Sequence, residues 1–131
     1  MSRLFDLADF AARLLLAALF LMDGRWIIAN YGGTADYLAQ NGVPPALLPL
    51  ALSTIVIGGL MVALGCWTRL AALALGAFCI STAVLFHMQS GDFNEQVQFW
   101  KDLAIAGGFL ALVAHGSGRI SVDHLLERAR A

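Results

Sequence analysis

Asp23, Arg25, Lys101 and Asp102 stand out in this chain because each interrupts a stretch that is otherwise apolar. Charged side chains in such settings pair with one another or line a wet cavity, where they can hold a polar ligand or pass protons. His87 closes another apolar stretch, and imidazoles as a class exchange protons near neutral pH. Trp26 and Trp100 lie beside the charges in sequence. Their flat rings could flank a planar ligand, or anchor the chain at a membrane surface. These seven residues form the candidate ligand or proton site. A metal is not expected there: His87, His115 and His124 are scattered, and no CxxC or HExxH spacing occurs. Cys66 and Cys79 sit in separate apolar runs and read as packing residues, not as a disulfide.

The elements that must position these residues follow from composition. Hydrophobic residues make up 60% of the 131 and charged residues 13%, about half the charged share of a soluble domain. A water-soluble fold of this size exposes roughly a third of its chain surface and needs polar residues to cover it. The expected class is therefore all-α, an integral membrane four-helix bundle forming one domain over residues 1–131. Spanning needs about 20 mostly apolar residues, and the expected spans are 11–28, 47–67, 70–87 and 99–116. The third is bounded by the polar run Gln89-Ser90-Gly91-Asp92. The first and fourth reach spanning length only by taking the four charges into the hydrocarbon.

Orientation follows from the basic residues. Arg3, Arg13, Arg69, Arg119, Arg128 and Arg130 fall on one side of such a bundle, and only Arg25 and Lys101 on the other. The positive-inside rule then places both termini in the cytoplasm. Asp6 and Asp9 after Arg3 do not suit a cleaved signal peptide. In the outer loop, residues 30–48, Thr34 is expected to cap a short helix, Ala35 to Gln40, that Asn41-Gly42 ends. Tyr37 and Leu38 would turn that helix into a lid over the bundle mouth. The cytoplasmic tail, residues 117–131, carries Leu125 and Leu126 among charges and reads as a surface helix. Small pairs one turn apart, Ala72 with Gly76 and Ala104 with Gly108, would let helices approach closely, as would Gly58-Gly59. Net charge is −1, and no basic patch suggests a nucleic-acid partner.

On this layout Asp23 lies about 10 Å below the outer end of its helix, and Lys101 and Asp102 about 6 Å below theirs. The matching depths predict cross-pairing, Asp23 with Lys101 and Arg25 with Asp102. Such pairs either staple two helices together or border a small polar cavity at the outer mouth.

Motifs spread along the chain resemble the DoxX-like small membrane proteins. They include Ala12-Arg13-Leu14, Tyr31-Gly32-Gly33-Thr34, Gly58-Gly59-Leu60, Thr68-Arg69, Leu85-Phe86-His87, Phe99-Trp100-Lys101-Asp102 and Gly116-Ser117-Gly118-Arg119. The resemblance implies four helices in the bacterial cytoplasmic (inner) membrane and an association with redox systems, among them thiosulfate:quinone and quinol oxidoreductases. Two positions depart from the pattern: Ile27 and Ile55 stand where members often carry a lysine and a glutamate. Losing both partners removes a pair without orphaning a charge.

The leading expectation is a redox-associated membrane subunit that binds a quinone-type ligand at the outer mouth. His87 and Lys101 would donate to ring oxygens, Asp23 and Asp102 would relay protons, and Trp26 and Trp100 would flank the ring. No cofactor-ligand motif occurs, so an oxidoreductase activity would need electrons from a partner protein. The alternatives are a non-enzymatic scaffold or assembly subunit, and small-solute permeation by a homo-oligomer.

Overall fold

The computed structural model describes residues 2–88 and 91–131; Gln89 and Ser90 of the expected polar turn lie outside them. The described residues form six α-helices and no strand: α1 (Ser2–Ala29), α2 (Tyr31–Gln40), α3 (Leu48–Leu64), α4 (Thr68–Thr82), α5 (Phe93–His115) and α6 (Val122–Arg130). A single 3-10 turn, Pro45–Leu47, leads into α3, and a π-helical turn, Ala83–His87, continues α4. Long antiparallel helices follow from runs of Leu, Ala and Ile with few breakers.

Three stretches among the described residues are long and apolar enough to cross a membrane: Pro45–Leu64, Thr68–His87 and Phe93–His115. Helix α1 has 28 residues, about 42 Å at 1.5 Å per residue and more than a hydrocarbon core requires. Arg13, Asp23 and Arg25 interrupt its apolar run.

The helices pack in the order α1 on α3, α3 on α4 and α4 on α5. Phe20 of α1 closes the bundle against α5, its ring 5.4 Å from Phe109 and edge-on to it. Ile55, Val62, Leu75 and Phe109 fill the interior. Small residues set the spacing. A Cβ on Gly24 would meet Val56 at 2.7 Å, and one on Gly76 would meet Phe109 at 3.3 Å. Ala104, expected to do likewise, is exposed. Leu15, Met22, Leu50, Ile57, Leu73 and Leu110 all face outward. An apolar exterior of that extent is what lipid solvates and water does not.

Several boundaries differ from the sequence reading. Helix α2 begins at Tyr31, directly after Asn30, and Thr34 is inside it, with its hydroxyl donating back to the Asn30 carbonyl at 2.9 Å. Nothing in Tyr31-Gly32-Gly33 forbids helix once α1 has delivered the chain. Helix α3 stops at Leu64, because Gly65 adopts a left-handed φ of +69° and its N–H and that of Cys66 close the last turn. Arg69, expected in a loop, therefore sits in the first turn of α4. Helix α5 starts at Phe93, ahead of the expected residue 99, with Asp92 accepting the Asn94 N–H at its N-cap.

One end of the bundle is knotted together by polar contacts. Arg13, fully buried, donates to the carbonyls of Val62 at 3.1 Å and Ala63 at 3.0 Å, and to that of Ile120. Those first two carbonyls belong to the last turn of α3, where unpaired acceptors and the negative helix end favour a cation. Asp123 of α6 accepts the N–H groups of Trp67 at 2.7 Å and Thr68 at 3.0 Å, and its own N–H donates to Gly65 at 2.8 Å. A Cβ on Gly65 would lie 2.5 Å from that of Ser121 and 2.6 Å from the Arg13 guanidinium, so only glycine fits this crossing. Asp6 of α1 and Arg119 of the tail approach to 3.9 Å. Both ends of the chain thus meet at one end of the bundle.

Candidate functional site

At the opposite end, the π-helical turn carries His87 between two acidic side chains of α5. Its Nδ1 bonds a carboxylate oxygen of Glu95, and its Nε2 lies 3.9 Å from Oδ2 of Asp102. Glu95 and Asp102 are seven residues apart, two turns along one helix face, so both point at α4. The Thr82 hydroxyl lies 3.2 Å from the same Asp102 oxygen and 2.9 Å from the Cys79 carbonyl, which share its one proton. One imidazole is thus flanked by an acid at each nitrogen. A wide turn of this kind displaces one residue from the regular helical register, a common means of aiming a side chain at a functional position.

The surroundings limit access to the cluster. The His87 side chain is 19% exposed. Helix α2 lies over this end, with Tyr37 stacked on Phe86 at 5.4 Å, and Phe86 beside the imidazole. Burial pushes the Tyr37 phenol up from its ordinary value, and the nearby Glu95 charge adds to that shift. The expected lid is therefore present, resting on the residue next to the histidine. From α1, Asp23 is close enough to interact electrostatically with Asp102.

Of the seven residues singled out from sequence, the structure brings Asp23, His87 and Asp102 together. It does not bring in the others. Arg25 and Lys101 are exposed on the outside of the bundle, and Trp26 and Trp100 are 66% and 67% exposed. The expected pairs Asp23–Lys101 and Arg25–Asp102 do not form among the described residues. Asp102 turns to Thr82 and His87 instead. Successive helical residues diverge by about 100°, so Lys101 cannot share the inward direction of its neighbour Asp102. Trp26 and Trp100 consequently face the surroundings, as interfacial aromatics do.

Sequence reasoning missed Glu95 and Thr82. Glu95 was legible in principle: an acidic residue three positions after the Asp92 cap is a helix-start signature. Starting α5 at Phe93 on that basis would have placed Glu95 and Asp102 on a common face. Thr82 had no comparable signal, since its role depends on how α4 meets α5. No group of histidine, cysteine and acidic side chains among the described residues is arranged to hold a metal ion.

Comparison with known proteins agrees with the architecture. The DoxX family profile matches residues 8–88, which include His87 but not Glu95 or Asp102. The chain is 38% identical to inner membrane protein YqjF of Escherichia coli (strain K12) over 128 residues, covering 98% of each chain. It is 31% identical to inner membrane protein YphA of the same organism over 119 residues, covering 86% of this chain and 85% of that one. No solved structure matches. With spanning helices, an apolar exterior and these relatives, the chain is an inner-membrane protein, and it belongs to the DoxX family.

Proposed function

We propose that this protein crosses the inner membrane four times with both termini in the cytoplasm, and serves as a redox-associated subunit holding a quinone-type ring at its outer end. The topology is supported by the meeting of Asp6 and Arg119 at one bundle end, and by the arginines gathered there. Reporters fused after residue 131 and before residue 2 should both register the cytoplasm; opposite faces would end the four-span reading.

The observation that carries the ligand reading is the placement of His87 between Glu95 and Asp102. An imidazole flanked by two acids can present an N–H to a ring oxygen and replace the lost proton from a neighbour. Reducing a quinone to a quinol takes two electrons and two protons. The cluster supplies proton positions; the electrons come from a partner oxidoreductase. Tyr37 and Phe86 provide aromatic surface beside the imidazole. Binding of a quinone analogue to the protein in lipid nanodiscs should be measurable for the wild type and lost in His87→Ala and Asp102→Asn. Wild-type protein that takes up no analogue removes the reading.

A second reading, a non-enzymatic assembly subunit, is favoured by a different observation. Arg25 and Lys101 are exposed on helices that lie in lipid, where an unpaired charge costs roughly 2.5–3.5 kcal/mol at mid-bilayer. Acidic residues on a partner's helix, or on a second copy of this chain, would remove that cost. Charge reversal at Lys101 would then dissociate a complex that a compensating reversal in the partner restores.

A further inference from the structure

We infer that the inner end of the bundle carries a second site, a groove that binds the phosphate headgroup of an anionic phospholipid. The groove has a volume of about 660 Å³ and lies where α4 begins, α5 ends and α6 crosses them. That volume falls in the range of small-ligand sites. Arg69, His115, His124 and Arg130 all line it, bringing two permanent cations and two imidazoles from three different helices to one depression.

The acids of the same groove do not cancel this charge. Asp123 spends its oxygens on the Trp67 and Thr68 N–H groups and is balanced by the nearby Arg13, and Glu127, which also lines the groove, offsets only one of the two arginines. The Arg69 guanidinium lies beside Gly116. Gly116, at φ +81°, leaves room for the guanidinium, and a Cβ there would sit 3.4 Å from its Nε. Guanidinium groups bind phosphate through paired N–H donors.

A further observation points to a ligand of this kind. The rim is apolar: the Trp67 indole is 65% exposed, and Leu70 and Leu126 are exposed beside it. Because α4 and α5 enter the lipid from this point, a molecule with its phosphate on the arginines would lay its acyl chains against that rim. A free phosphate would leave the rim in water, so charge and placement together favour the lipid.

The test uses the full chain with Trp26→Phe and Trp100→Phe, so that Trp67 alone reports. The protein is reconstituted in phosphatidylcholine vesicles holding equal small fractions of brominated phosphatidylglycerol or brominated phosphatidylcholine. Both leaflets then carry the same lipids, and the outcome does not depend on insertion direction. Brominated phosphatidylglycerol should quench Trp67 more strongly, and Arg69→Gln and Arg130→Gln should each lower its relative association constant about fivefold. Arg130 lies in the exposed last turn of α6, so its replacement leaves the fold intact and keeps the test decisive should Arg69→Gln misfold. Equal quenching by the two lipids, or a preference unchanged in Arg130→Gln, overturns the inference. Loss of the preference on adding excess inorganic phosphate at constant ionic strength would assign the groove to free phosphate and overturn the lipid.

Discussion

Asp123, in the last helix of the chain, accepts the backbone N–H of Trp67 at 2.7 Å across the end of the bundle where both termini lie. Trp67 is the one non-glycine residue among those described with a positive φ, +46°, a conformation that costs about 1–3 kcal/mol and persists only when its surroundings enforce it. The carboxylate enforces it while capping α4 through Thr68. Asp123→Ala should lower stability by about 1–2 kcal/mol, read as a fall in melting temperature in mild detergent.

The same carboxylate gives stability an acid dependence. Burial alone would raise the Asp123 pKa, but hydrogen bonds from Thr68 and Trp67, with Ser117 nearby, outweigh it and hold the group below the usual carboxylate range. A depressed folded-state pKa stabilises fully above the ordinary value, near 3.9, and the contribution disappears as pH falls through the lower folded-state value. Melting temperature should therefore drop over that acid window in the wild type, and drop less in Asp123→Asn.

Arg13 should be the most sensitive single position of that end. Its guanidinium serves three carbonyls at once, and hydrogen bonds to charged groups contribute about 1.5–3 kcal/mol each. Arg13→Met should cost on the order of 3–5 kcal/mol, counting the acceptors left buried. Arg13→Lys should recover only part of that loss, since an ammonium cannot span the same fork of acceptors. Parallel melts of the two variants check the ordering; a lysine variant equal to wild type would contradict it.

At the opposite end the contrast lies between inward and outward residues. Glu95→Ala should weaken quinone-analogue binding about tenfold, by releasing the imidazole it holds. Lys101→Ala and Trp100→Phe should change it less than about twofold, because both side chains face away. Titration of the analogue against each variant in nanodiscs distinguishes this pattern from a site built on the α5 exterior.

Tyr37→Ala removes the stacking on Phe86, which is worth about 0.5–1.5 kcal/mol beyond area burial. Helix α2 buries none of its residues fully, so this contact is a large part of what holds it down. Amide exchange in residues 31–40 should accelerate severalfold while exchange in α3 stays unchanged.

What the sequence made legible was set by periodicity and polarity. Apolar runs around Leu47–Trp67 and Leu70–His87 announce spanning helices whatever their neighbours do. The lone polar residues Asp23, His87 and Asp102 mark one end of the bundle because lipid leaves them few alternatives. Direction around a helix was harder to read. Asp102 and Lys101 are adjacent in sequence but diverge by about 100° around the helix, and choosing which faces inward requires the packing of α4 on α5. Arg13 shows the same gap: it reads as one more cytoplasmic arginine, yet it is wholly buried, because Gly65 opens the crossing that admits it.

The π-helical turn at Ala83–His87 also makes the His87 cluster dependent on winding. That turn accommodates a residue beyond ordinary α-helical winding. Tightening it to ordinary α winding with no residue removed would rotate His87 by about 100° around the helix axis, carrying the imidazole away from the two acids of α5. A change in this stretch that restored regular winding would thus switch the cluster off while both acids stayed where they were.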